Sequence, residues 1–487
     1  MTDHKTNVLG EDVNDLANQK KYAERVRVLL SEKEKRLGRR LRVFVQTFGC
    51  QQNEADSERL IGTALSLGYE KAETLESADL IIYNTCAVRE HAELKALSKT
   101  GQLKHIKAKN PELLVGLWGC MVNQEHRVSD IKNKYPYVDF VAGTNMLHRL
   151  PEILCDVMVH DRRRYYVEDA DTAENPIVEG VPVARESDIK AWLSIMYGCD
   201  NFCTYCVVPH VRGRERSRRA EDVLTEAKEL IQSGCREITL LGQNVNSYGK
   251  GLEEECSFAQ LLSKVASIEG DYLVRFMTSH PKDVSDELIE VMRTHTRVAR
   301  HFHLPVQSGN DRILAKMNRK YTREAYLEVV RKLRKAMPDI TLTTDIIVGF
   351  PGETEEEFED TLSLVREVGY DSIFAFIYSP RRGTPAAQME DPVSYEEKTG
   401  RFARLMELHH ENMVRINEGY VGKTLRVLCE TPNAPGTTEY YGRDSGNKLI
   451  RFTAPEGSAL YGTFIDVTIT HAGDVQLCGR RSAARTC

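Results

Sequence analysis

Three cysteines, Cys199, Cys203 and Cys206, fall within YGCDNFCTYCVVP at a spacing of C-x3-C-x2-C. Thiols this close in sequence usually bind metal, and a closed tetrahedral site takes four ligands. The loop supplies three. A [4Fe–4S] cube is held by cysteine sulfur, and three cysteines would leave its fourth iron open to a small chelating molecule. The alternative is a Cys3His zinc site completed by His210.

A second trio is dispersed. Cys50 follows VFVQTFG, Cys86 follows LIIYNT and Cys120 follows LVGLWG, each just past an apolar run and at near-equal intervals. Neighbouring strand ends of one parallel sheet lie close together, so these three could converge on one edge. Ordinary burial is the plainer fate of a cysteine, and it remains open for each one taken alone. Cys155, Cys235, Cys256, Cys429, Cys478 and Cys487 share no such register and read as structural thiols.

The elements that must position these groups give an α/β multidomain chain. Residues 1–40 form a charged extension with a weakly amphipathic stretch, YAERVRVLL. Over 41–160, LRVFVQ, ADLIIYN, ELLVGLW and VDFVAG read as buried strands, with helices near 55–67 and 87–108. That alternation predicts an N-terminal parallel α/β domain. Residues 161–188 are charged and irregular, as a linker would be.

Between 189 and 418 six further strands alternate with helices: AWLSIMY, EITLLG, YLVRFMT, HFHLPV, TLTTDIIVG and SIFAFIY. One helix starts at a capping box, Thr354 with Glu357, and another sets Tyr326, Val330, Leu333 and Met337 on one face. Six βα units fall short of the eight that close a barrel, which predicts a partial (β/α)6 barrel. Over 419–482, strands such as GTFIDVTITHAG, with Ile465, Val467 and Ile469 on one side, predict a small antiparallel β-barrel.

A chain of 487 residues, 41% hydrophobic and 28% charged, is expected to form several soluble domains. The polar amino terminus has no signal-peptide core, and no apolar run approaches the roughly 18 residues of a membrane helix. Clustered cysteines in such a chain point to the reducing cytoplasm and no membrane partner. The net charge of −6 gives no bulk attraction to nucleic acid. RNA contact would need local patches: the arginines from Arg212 and Arg214 to Arg219, or Lys423, Arg426, Arg443, Lys448 and Arg451 near the carboxyl end. IVGFPGET lacks the GK[ST] of a phosphate-cradling P-loop, so an NTPase is excluded.

The cysteine loop, with Tyr205 just before its last cysteine, resembles the signature of the radical S-adenosylmethionine superfamily, whose fold is a partial (β/α)6 barrel. The resemblance implies that Cys199, Cys203 and Cys206 hold a [4Fe–4S] cluster whose open iron binds S-adenosylmethionine and cleaves it to a 5′-deoxyadenosyl radical. FGCQQNEADSERL, YNTCAVREHAE and LWGCM resemble the methylthiotransferase branch, which implies an auxiliary [4Fe–4S] cluster on Cys50, Cys86 and Cys120. Gln52 departs from the hydrophobic residue expected there.

Within the branch, CVVPHVRGRERSR, LLGQNVNSYG and HLPVQSGNDRILAKMNRKYT look like the enzymes that act on isopentenyladenosine in tRNA. Enzymes acting on threonylcarbamoyladenosine or on a ribosomal-protein aspartate are the rivals. The last domain resembles an RNA-binding TRAM module. The resemblance further implies two S-adenosylmethionine molecules per turnover, as methyl donor and radical source. It implies contacts to that cofactor from Tyr205, Gln243, Gln307 and Ile347, while the local positive charge offers Arg212, Arg214, Lys423, Arg426 and Arg443 as RNA contacts, a solvated charged face being the alternative. Expected partners are a tRNA anticodon stem-loop, an electron donor such as flavodoxin or ferredoxin, and the iron–sulfur assembly machinery. A non-catalytic zinc protein that binds RNA is the alternative of another class.

Overall fold

The computed structural model describes residues 15–160, 163–167, 177 and 179–482. The chain divides into two compact units. One holds the described residues up to Glu186 together with His210–Arg212, and the other holds Ser187–Pro209 and the chain from Gly213 onward.

The first unit is built on a six-stranded, wholly parallel sheet. Its strands are β1 (Arg42–Thr47), β2 (Glu70–Lys71), β3 (Leu80–Thr85), β4 (Leu114–Gly119), β5 (Phe140–Ala142) and β6 (Arg164–Tyr166), in the order β2-β1-β3-β4-β5-β6. β3 is buried along its whole length: its apolar start, Leu80–Tyr83, suits a sheet covered on both faces, and the Asn84 and Thr85 side chains at its end are hydrogen-bonded. Helices α1 (Asp15–Leu37), α2 (Gln51–Leu67), α3 (Glu90–Lys109), α4 (Glu125–Lys134) and α5 (Leu150–His160) complete the unit.

The charged extension expected over 1–40 is, from Asp15, a helix belonging to this unit. Val26 and Leu30 of α1 are buried in the same apolar cluster as Leu154 and Val157 of α5, and the charges line its outer side. Residues 1–14 lie outside the described residues. The linker expected over 161–188 opens with an edge strand, β6, paired to β5, and closes with the Ala184 N–H donating to the Glu58 carbonyl. Its middle, 168–176 with 178, is outside the described residues.

The second unit contains β7 (Lys190–Ser194), β8 (Met196–Tyr197), β9 (Arg216–Ser217), β10 (Glu237–Leu241), β11 (Leu273–Phe276), β12 (His301–His303), β13 (Thr341–Val348) and β14 (Ser372–Ile377). Six of these run parallel as two three-stranded sheets, β7-β10-β11 and β12-β13-β14, with one parallel bridge from Val274 to Val298 between them. The predicted partial barrel is therefore present, with its ladder thinned in the middle. The predicted capping box is also present: the Glu357 N–H donates to Thr354 Oγ1 and the Thr354 N–H to Glu357 Oε2. Phe358, Leu362 and Val365 of that helix join the core.

The chain ends in a closed five-stranded barrel, β15 (Thr424–Cys429), β16 (Glu439–Asp444), β17 (Leu449–Thr453), β18 (Phe464–Ala472) and β19 (Leu477–Arg481), consistent with a TRAM-like module. All neighbouring pairs are antiparallel except β17 and β19. Val427, Tyr440, Ile450, Val467 and Ile469 fill its interior.

Candidate iron–sulfur sites

In the first unit β1, β3 and β4 are consecutive neighbours, and a cysteine follows each: Cys50, Cys86 and Cys120. The Cys50 and Cys86 thiols are in hydrogen-bond contact; Cys86 feels the charge of both other members of the trio, and Cys120 that of Cys50. Cys86 and Cys120 are buried, while Cys50 keeps access to solvent. Gly119 makes the close approach possible. Its φ is +100°, and an added Cβ would stand 2.4 Å from Asn84 Oδ1 and 2.5 Å from the Thr85 carbonyl oxygen.

The sulfurs are held by polar partners. The Val88 N–H donates to Cys86 Sγ at 3.3 Å, and Cys50 Sγ lies 3.2 Å from Asn53 Oδ1. The side chain of Arg212, a member of this unit, places Nε 3.1 Å from Cys120 Sγ and Nη2 2.9 Å from Asp56 Oδ2. Asp56 in turn accepts from Gln52 Nε2 at 3.1 Å, so the unexpected glutamine props the acid that holds the arginine. Contact with Cys86, assisted by the Arg212 charge, pulls Cys50 down to about 6. The same contact and burial push Cys86 up, and burial pushes Cys120 up to about 11. Iron would displace the protons of the trio, since only thiolates ligate.

Arg212 was expected on an RNA-contacting rim. It is only 5% exposed and its donors are committed to Cys120 and Asp56, so it does not meet phosphate. A buried guanidinium is stable there because a carboxylate balances it.

In the second unit Cys199, Cys203 and Cys206 follow β7 and β8 at the carboxyl end of the parallel strands. Gly198 turns the chain at φ +76°, with space for no side chain: a Cβ would lie 2.0 Å from the Arg214 carbonyl oxygen. The Cys206 N–H donates to the Cys203 carbonyl at 2.9 Å, Asn201 Nδ2 reaches Cys199 Sγ at 3.4 Å, and Arg319 Nη1 reaches Cys203 Sγ at 3.4 Å. Arg319 is buried and anchored by the Pro305 carbonyl and the Tyr321 hydroxyl. Burial pushes Cys199 up to about 11 and Cys206 to about 12, with the Cys203 sulfur adding to both.

Backbone strain gathers around this loop. Phe202, Thr278, Gln307, Asn318 and Lys320 all have positive φ, and two of them flank Arg319. Such conformations cost about 1–3 kcal/mol each and concentrate at functional sites.

Among the described residues, no three or more His, Cys, Asp and Glu side chains close on a single-ion position. A four-iron cube does not require one, because each of its cysteines holds a different iron. Both trios fit a cube by donor chemistry: three thiols, hydrogen-bond donors on their sulfurs, and a buried cation at one sulfur in each. His210, the fourth ligand of the zinc reading, is exposed and belongs to the first unit, whereas the three cysteines belong to the second.

Of the other expected residues, Tyr205 and Ile347 are brought together against the cluster of Ile313, Met317 and Phe350. Gln307 is buried, with its backbone bridged to β13. Gln243 lies just past β10 with its Oε1 buried and without a protein partner. Arg214 is half exposed, stacked on Phe202 and paired with Asp200. On the terminal barrel Lys423 lies over Tyr420, Arg426 over Phe464 and beside Asp271, and Arg443 near Glu430. Arg319 was not foreseen, because 116 positions separate it from Cys203 and no spacing rule joins them.

Comparison with known proteins agrees with this architecture. Residues 193–365 match the radical SAM superfamily and residues 42–143 an uncharacterized protein family, UPF0004. A solved radical S-adenosylmethionine methyltransferase, TsrM from Kitasatospora setae, shares the fold with a TM-score of 0.53 at 14% identity, over 81% of this chain and 79% of that one. The chain is thus a radical SAM protein, and the family implies S-adenosylmethionine and a [4Fe–4S] cluster. It is 50% identical over 435 residues to the tRNA-2-methylthio-N(6)-dimethylallyladenosine synthase of Clostridium perfringens, covering 89% of this chain and 96% of that protein. It is 46% identical over 467 residues to the synthase of the same name in Clostridioides difficile, covering 96% and 97%. The chain belongs to that synthase family.

Proposed function

We propose that this protein adds a methylthio group to C2 of N6-isopentenyladenosine at position 37 of tRNA. The observation that carries the reading is the pair of cysteine trios, each at the carboxyl edge of a parallel sheet, in a chain that matches its relatives over nearly their whole length. Cys199, Cys203 and Cys206 would hold the cluster that binds S-adenosylmethionine, and Cys50, Cys86 and Cys120 an auxiliary [4Fe–4S] cluster. When bound, the clusters and two S-adenosylmethionine molecules supply the electron, the radical, the methyl group and the sulfur.

The chain's own residues hold these groups and keep water away. Arg319 and Asn201 fix the sulfurs of one trio, and Arg212 with Asp56 fixes the other. Tyr205 and Ile347 offer an apolar wall and Gln243 and Gln307 polar groups to S-adenosylmethionine. Arg214, Lys423, Arg426 and Arg443 present cations to the phosphates of an anticodon stem-loop. The protein acts in the cytoplasm, reduced by a flavodoxin or ferredoxin and loaded by the iron–sulfur assembly machinery. No helix among the described residues is long and apolar enough to cross a membrane.

Mass spectrometry of tRNA nucleosides from cells lacking the protein tests this. The expected result is loss of the methylthio nucleoside with isopentenyladenosine accumulating. Unchanged tRNA nucleosides would overturn the reading in favour of a ribosomal-protein substrate.

A further inference from the structure

The loops after β10 and β11 contain buried polar atoms with no partner in the protein. They are Asn244 Oδ1, Asn246 Nδ2 and Oδ1, Ser279 Oγ and His280 Nε2, beside Gln243 Oε1. Asn244, Ser279 and His280 are each more than nine-tenths buried. An unmade hydrogen bond on a buried group costs about 1–3 kcal/mol, so one region rarely keeps five without a ligand to complete them.

The two loops are fastened together. The Val245 N–H donates to the Thr278 carbonyl at 3.0 Å, and Asn244 Nδ2 donates to Asp283 Oδ2 at 2.8 Å. Thr278, immediately before Ser279, is held at φ +71°. The set also lies beside the cysteine loop. The His280 ring packs edge-on against Tyr321 at 5.5 Å, Tyr321 binds Arg319, and Arg319 reaches Cys203.

Of the charges nearby, Lys282 binds Asp283 at 2.7 Å, while Lys250 lies 3.9 Å from Glu215 Oε1, a buried oxygen with no hydrogen-bond partner. Burial together with the Arg319, Lys282 and Lys250 charges keeps His280 neutral, well below its ordinary range. What Asn244, Asn246, Ser279 and His280 offer is a set of uncharged donors and acceptors, and the unpartnered oxygen beside them, Glu215 Oε1, belongs to a carboxyl group. The region therefore suits the edge of a neutral heteroaromatic base and is ill suited to a phosphate or carboxylate.

We infer that Asn246, Ser279 and His280 form a nucleobase-reading site that hydrogen-bonds ring nitrogens of the target adenine and holds it near the Cys199, Cys203 and Cys206 loop. The inference rests on the tRNA reading proposed above. His280 Nε2, protonated as the neutral tautomer whose Nδ1 accepts from the Lys282 N–H, would donate to a ring nitrogen. The Asn246 amide can both donate and accept, and so completes the edge.

A coupling experiment on the reconstituted full chain tests this. The probes are RNA hairpins carrying isopentenyladenosine or its 1-deaza, 3-deaza or 7-deaza analogue, with binding read by fluorescence anisotropy. One of the three deaza hairpins is expected to bind the native protein about tenfold more weakly than the parent. That penalty should vanish in His280→Ala or in Asn246→Ala, because the lost nitrogen no longer has its partner. Equal penalties in native and variant proteins, or none for any analogue, would overturn the inference. A purely structural role for His280 would weaken all hairpins alike and leave the penalty intact, which also counts against it. If His280→Ala does not fold, Asn246→Ala and Ser279→Ala decide the matter. Failure of the native protein to methylthiolate the parent hairpin would instead strike the function reading.

Discussion

Arg212 donates from Nε to the Cys120 sulfur at 3.1 Å and from Nη2 to the Asp56 carboxylate at 2.9 Å, with both residues buried. Hydrogen bonds to ligand sulfur set the stability and potential of an iron–sulfur centre. Arg212→Gln should keep the fold at a cost in stability, weaken the auxiliary cluster proposed on Cys50, Cys86 and Cys120 by about 10–100-fold, and lower its reduction potential. Iron and sulfide analysis after anaerobic desalting, with redox titration followed by EPR, measures both.

The two trios should fail separately. Cys199→Ala/Cys203→Ala/Cys206→Ala should retain about four irons and produce no 5′-deoxyadenosine. Cys50→Ala/Cys86→Ala/Cys120→Ala should still cleave S-adenosylmethionine but transfer no methylthio group. Chromatographic detection of 5′-deoxyadenosine and of the modified nucleoside distinguishes them, and identical losses in both variants would refute the division.

Gly119→Ala should destabilise the apo-protein by about 2–3 kcal/mol, because a Cβ would collide with the Thr85 backbone at an unfavourable φ. Gly38 also has positive φ but open space around it, so Gly38→Ala should cost about 1 kcal/mol from backbone strain alone. Urea unfolding of the two variants compares them directly.

Asp444 introduces a pH dependence. Burial raises its carboxyl from the usual carboxylate range to about 6, although Lys448 N–H and the Arg275 charge oppose that shift. The folded protein therefore holds a proton that the unfolded chain releases, and stability falls as pH rises from about 4 through 6. Asp444→Asn should flatten that decline and be more stable than the parent above pH 6, by at most about 2–3 kcal/mol. Thermal unfolding of the apo-protein across this range measures it.

The main parallel strands of both units and the spacing of the two cysteine trios are legible because their signals are local: apolar runs of strand length, three of them followed by a cysteine, and a tight C-x3-C-x2-C loop. β16, EYYGRD, carries too much polarity to stand out, and it is a strand because the barrel closes around Tyr440. The helical character of α1 is weak in sequence because few apolar residues beyond Val26 and Leu30 face the core. Arg212 was misread for a related reason. Alternating arginines look like a solvated rim, yet two of them are buried cations: Arg212 beside Asp56, a carboxylate 156 positions away, and Arg218 beside Glu226. Arg319 and His280 owe their surroundings to similarly distant segments.

The grouping of His210–Arg212 with the sheet of the first 186 residues bears on how this molecule could ever be divided. A fragment ending at Glu186 would be severed from its own counter-ion, leaving the buried Asp56 carboxylate without the Arg212 cation that balances it. Gene fusions or truncations that treat the lobes as interchangeable cassettes would thus yield a less stable first half, because three residues encoded far downstream are part of it.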